Sequence, residues 1–155
     1  MPSRSPATTL SLLAFLASAL VGCSSTEKRS YEIVITNETD RDCLIWLTKD
    51  GPPFEPGWKA PEELAIEKPR ETGEMLGGAV IKAGERLGTD PVAGTFAPNT
   101  RAILRVYNGT PKFNELLAIG PDSPDRRQIP LAPGLNTLVI QKEAAGIRVE
   151  RGRGK

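Results

Sequence analysis

Nineteen carboxylates, two thiols and no imidazole set the chemistry open to this chain. Without histidine, Ser-His-Asp and Cys-His catalysis are closed in their usual forms, and the commonest zinc ligand is missing. Cys43 lacks an imidazole base to activate it. Beside Leu44, Ile45 and Trp46 it reads as a buried, inert thiol acting as a small hydrophobe. One such thiol cannot complete a structural zinc site, so neither a metal nor another cofactor is expected. Two carboxylates at a set separation could still cleave a glycosidic bond. Glu62-Glu63, however, suits the first turn of a helix, and Asp40, Asp42, Asp122 and Asp125 fall in turn sequences, where acids cap or are solvated. The run Asn37-Glu38-Thr39-Asp40-Arg41-Asp42 offers oxygen ligands but lacks the spacing and glycine of a calcium loop, and Arg41 stands among them. Gly73-Glu74-Met75-Leu76-Gly77-Gly78 is not followed by the Lys-Ser/Thr of a phosphate-binding loop. The glycosylation-type triplets at Asn37 and Asn108 read as turns. No catalytic residue is assigned, and the chain is not expected to be an enzyme.

Binding chemistry is better represented. Gly51-Pro52-Pro53-Phe54-Glu55-Pro56-Gly57-Trp58 places two of the eight aromatic residues on a proline-stiffened segment. Phe54 and Trp58 there could present a flat surface to a sugar ring or a protein partner at little entropic cost. The alternative is that both rings fold back and cap one open end of the core.

The remaining thiol, Cys23, lies at the end of a leader. Arg4 is the only charge ahead of it, and Leu10–Val21 is dominated by Leu, Ala and Phe. A positive flank, a short apolar segment and a small-residue exit form an export signal. About 12 apolar residues fall short of the roughly 20 needed to span a bilayer as a helix. Leu20-Val21-Gly22-Cys23 resembles the lipobox of bacterial lipoproteins. The resemblance implies a cleaved helical signal peptide over 1–22, a diacylglyceryl group on the Cys23 sulfur, further acylation such as palmitate, and Cys23 as the new N-terminus. Ser24 stands where inner-membrane lipoproteins of many Gram-negative bacteria carry Asp, which implies the outer membrane, facing the periplasm. A simple cleaved secretory signal ending at Ala17-Ser18-Ala19 is the rival, and it would allow a Cys23–Cys43 disulfide.

The mature remainder, roughly 130 residues, is enough for one domain with its own core. Twenty basic residues face nineteen acidic ones, and losing Arg4 leaves the chain formally neutral, with no general field to steer it towards nucleic acid. The expected partners are the membrane, through the lipid, and an envelope protein or glycan.

Period-two alternation marks Tyr31–Thr36 as a partly buried strand, and Cys43–Leu47 is apolar on both faces; together they read as a β-hairpin across the polar turn 37–42. Residues 23–30 read as lipidated cysteine and flexible tether, 31–150 as the domain, and 151–155 as a basic flexible tail, with Arg148, Arg151, Arg153 and Lys155 available for an anionic polymer. Pro61–Lys68 reads as one short helix, stopped by Pro69, and 70–78 as loop. Further strands are expected at Ala79–Lys82, Arg86–Thr89, Val92–Phe96, Arg101–Tyr107, Phe113–Ile119, Gln128–Leu131, Leu135–Gln141 and Ile147–Glu150, divided by Gly, Pro, Asn and Asp. The run Ile129–Ile140 resembles hairpins of immunoglobulin-like bacterial domains. The expected fold is therefore all-β, an antiparallel β-sandwich of immunoglobulin-like or similar type. The functions it would serve are binding or an accessory place in an envelope assembly; a carboxylate-dependent polysaccharide hydrolase and a purely structural surface protein are the alternatives.

Overall fold

A computed structural model describes residues 25–67 and 78–152. The leader with its lipobox and Cys23, the helix end at Lys68, most of the 70–78 loop, and the tail residues Arg153 and Lys155 lie outside the described residues. Nine strands form two facing sheets, an all-β, sandwich-like fold with few helices.

In the first sheet, β1 (Glu27–Asn37) is central. Tyr31, Ile33, Ile35 and Asn37 point inward and are buried, while Glu32, Val34 and Thr36 alternate outward, as the period-two pattern requires. One flank of β1 pairs antiparallel with β4 (Arg86–Gly88) and β5 (Val92–Phe96). Its other flank pairs with β8 (Gly134–Glu143), from Tyr31↔Gly134 to Asn37↔Ile140, and this pairing is parallel. A hairpin then adds β9 (Gly146–Arg151). The second sheet runs in the order β3 (Ala79–Ile81), β2 (Cys43–Lys49), β6 (Ala102–Asn108), β7 (Arg126–Pro130), all antiparallel.

Several expectations change. β1 and β2 do not form a hairpin, because they belong to opposite sheets. The chain crosses between them at Asn37, whose buried amide donates to the Arg41 carbonyl (2.8 Å) and the Ile81 carbonyl (3.1 Å) while its Oδ1 accepts from Thr39 N (3.1 Å). The Ile129–Ile140 run is likewise an arch from one sheet to the other. With the first two strands on opposite sheets, the order also departs from the immunoglobulin one, in which they share a sheet. Parallel pairing of β1 with β8 makes the first sheet mixed rather than antiparallel. Residues 27–30, expected as tether, are strand: their side chains are polar, yet their backbone pairs with β5 from Glu27↔Phe96 onward. Arg151, expected in the flexible tail, ends β9, and its guanidinium donates to the Pro130 carbonyl (2.8 Å).

The inner faces of both sheets meet in one core that includes Tyr31, Ile33, Ile35, Ile45, Phe96, Leu104, Leu138 and Ile140. The doubly apolar β2 has a second cause. Leu44 and Trp46 point away from that core and are covered by two short helices, α1 (Pro61–Glu67) and α2 (Phe113–Ala118). The expected strand at 113–119 is therefore the helix α2, giving two α-helices among the described residues where one was expected. Phe113 and Leu116, three apart, share one helical face on Leu44, Trp46 and Tyr107. The Glu115 carboxylate accepts the Lys112 N–H at 2.8 Å and caps the first turn.

Candidate functional site

The two aromatic residues of the proline-rich segment part company. Trp58, expected as a contact residue, is 2% exposed, whereas Phe54 is 44% exposed. A 3-10 turn at Pro56–Trp58 swings the indole between the sheets. There it stands edge-on to Phe96 (centroids 5.2 Å apart, 82°) and to Tyr31 (5.8 Å, 70°), and its Nε1 donates to the Ala93 carbonyl at 3.2 Å. Core capping thus takes Trp58, which no partner can reach in the folded state. Phe54 stays at the surface.

Beneath the three rings sits a buried cation that sequence reasoning missed. The Lys49 ammonium lies 4.8 Å from the Phe96 centroid and 5.6 Å from that of Trp58, donates to the Thr95 carbonyl at 2.7 Å, and pairs with Glu55. That hydrogen-bonded ammonium holds the Glu55 carboxyl below its ordinary value, and the Thr95 N–H at 2.9 Å adds to the effect. A lysine after six mostly apolar strand residues carries no local signal that it turns inward. Arg29 closes the same end, with its guanidinium 5.3 Å from the Phe96 centroid and an Nη1 donated to the Thr100 carbonyl at 2.6 Å.

Higher along the same edge, a slot of about 290 Å³ opens between the sheets. Ile33, Ile45, Leu47, Leu104 and Val92 make its walls, and Pro56 and Gly57 stand at its surface. Lys59 also lines it, with its ammonium paired to Glu67. Such a lining suits an apolar group, and Lys59 is the charged side chain among the described residues that line it. A second, polar cleft of about 210 Å³ lies at the opposite end among Thr39, Asp40, Arg41, Asn108, Lys142 and Glu143.

Several acids make structural contacts. Glu63 accepts the Ala60 N–H (2.7 Å) at the start of α1, Asp42 accepts the Ala83 N–H (3.0 Å), and Asp125 accepts from Asn108 Nδ2 (2.7 Å). Glu62 reaches from α1 across the outer face of the second sheet to Arg105 Nη1 (2.7 and 2.9 Å) and Arg126 Nη1 (3.6 Å). Desolvation pushes its carboxyl up, but the Arg105 hydrogen bonds and both guanidinium charges together bring it below the ordinary value. Asp40 is lowered by its hydrogen bond from Lys142. Among the described residues no three His, Cys, Asp or Glu side chains gather as a metal site would require. Cys43 is wholly buried in the core, and desolvation pushes its thiol up. Cys23 lies outside the described residues. Neither a protein-family model nor a curated protein sequence matches this chain.

Proposed function

We propose that this chain is a lipoprotein of the bacterial envelope, anchored through Cys23 on a short leash, and that its sandwich binds a partner rather than carrying out a reaction. Outer-membrane attachment facing the periplasm follows from Ser24. The observation that carries the binding reading is the slot at the sheet edge, whose apolar walls fit an apolar side chain or acyl group offered by an envelope partner. The carboxyl groups support the same reading. Among the described residues Asp40, Glu55 and Glu62 are lowered by neighbouring cations, whereas a general acid at neutral pH needs the reverse.

Gly57→Leu tests the reading. Gly57 borders the slot, and a Cβ there meets nothing within 4 Å, so the larger side chain narrows the mouth without disturbing the core. Capture of the lipidated protein from native envelopes is expected to recover a reproducible partner with the natural chain and to lose it with Gly57→Leu, at an unchanged Tm. Equal recovery by both, or glycan cleavage by the purified protein, contradicts it.

A further inference from the structure

The two ends of the sandwich differ in chemistry, and covalent geometry decides which of them faces a lipid on Cys23. β1 begins at Glu27, four residues from Cys23, and four residues reach at most about 14 Å. Its first residues pair with the end of β5 at Phe96. The same end carries the exit from β2, where Lys49 pairs with Ala102, and the arch that leaves β7 after Pro130. Three connections therefore surround the entry of the chain: Asp50-Gly51-Pro52-Pro53-Phe54, Ala97-Pro98-Asn99-Thr100-Arg101 and Leu131-Ala132-Pro133-Gly134. Asp50 is the one carboxylate in these stretches, and it is engaged by the Arg101 N–H at 2.6 Å and the Arg101 guanidinium at 3.5 Å. Glu27 and Glu55 nearby are paired with Arg29 and Lys49. Phe54 is 44% exposed here, and Leu135, just past the arch, is 61% exposed. The far end exposes Glu38, Asp40, Asp42, Glu85, Asp122 and Glu143, with Arg41, Lys82 and Lys142 among them and Asp40 paired to Lys142.

We propose that the carboxylate-poor end rests on the bilayer surface, with Phe54 seated among the lipid headgroups. This orientation rests on lipidation of Cys23. An exposed ring beside turns whose one carboxylate is paired with Arg101 matches the interfacial zone, where aromatic side chains are favoured. The charged loops at the other end, richer in carboxylates, are turned towards water. The distance between the ends is set by β1, whose 11 residues extend about 36 Å.

The test uses the full lipidated protein in phosphatidylcholine vesicles with brominated acyl chains. Phe54→Trp adds a reporter at the near end, and Ala144→Trp adds one in the β8–β9 turn at the far end; natural Trp46 and Trp58 are buried and supply a constant background. The added indole of Phe54→Trp is expected to lose intensity and shift to the blue, with Ala144→Trp unaffected. An acylated protein whose Phe54→Trp reporter is quenched no more than that of Ala144→Trp overturns the orientation alone. A mature chain that mass spectrometry shows without acyl groups on Cys23 overturns the anchor and the orientation together.

Discussion

Trp58 owes its place to a residue with no side chain. A Cβ on Gly94 would lie 2.6 Å from the indole Nε1 and Cε2, so β5 carries glycine where the ring must lie flat against the strand. The ring cannot retreat, because Tyr31 and Phe96 stand edge-on behind it and its N–H is tied to Ala93. Gly94→Ala is therefore expected to destabilise the fold by about 1–3 kcal/mol, the usual cost of overpacking. Urea unfolding followed by tryptophan fluorescence would measure it. A loss no larger than the few tenths typical of a surface change would mean that Trp58 is not held as described. Lys49 presents the opposite problem, a charge brought inside. It is tolerated because three kinds of partner meet it at once: a carboxylate, a carbonyl and two ring faces.

At the level of elements, the arches decide the topology. Asn136 is 1% exposed and fills the bend between β7 and β8. Its Oδ1 accepts the Ala132 N–H at 3.0 Å, and its Nδ2 donates to the carbonyls of Ala132 (2.8 Å) and Gly134 (3.0 Å). Asn136→Ala leaves these backbone groups without their partner in a place water reaches poorly, so a loss of about 1–3 kcal/mol in urea unfolding is expected. Unchanged stability would show that solvent replaces the amide. Local pattern made most strands readable in advance: alternation in Tyr31–Thr36, the apolar run Cys43–Leu47, and the turn residues between later strands. Pairing was not readable, because a polar turn such as 37–42 closes a hairpin or crosses an arch with equal ease. The choice is made by Ile81, 44 residues away, whose carbonyl takes the Asn37 amide. The helix at 113–118 was hidden for a related reason. Phe113, Leu116 and Leu117 fit either period in so short a run, and Trp46 and Tyr107 beneath them select the helical one. Phe54 and Trp58 were recognisable as a pair, but their separation depends on Gly94, far along the chain.

For the molecule as a whole, the near-balance of charge and the lack of histidine combine into a definite response to pH. With no imidazole to titrate, stability is expected to stay level from about pH 5.5 to 8. Below that range the carboxyls matter. Glu55, Glu62 and Asp40 are lowered in the folded chain, from ordinary values of 4.5 for the two glutamates and 3.8 for the aspartate, so each ionises more readily folded than unfolded. Their contribution is complete above those ordinary values and is lost as pH falls through the lower, folded ones. Glu62 offers the clearest test, since two guanidinium groups converge on it. Its side chain is 45% exposed, and screening by water limits its share to about 1 kcal/mol. Glu62→Gln is expected to lower the urea midpoint at pH 7, where Arg105 and Arg126 lose their counter-charge. As pH falls from 7 towards 3 and through the lowered folded value, the carboxyl takes up its proton and approaches the shape and neutrality of the amide. The gap between variant and natural chain should therefore narrow as acid is added. A gap of equal size at both pH values would show that Glu62 acts through packing, and that its carboxylate charge contributes nothing to holding α1 against the second sheet.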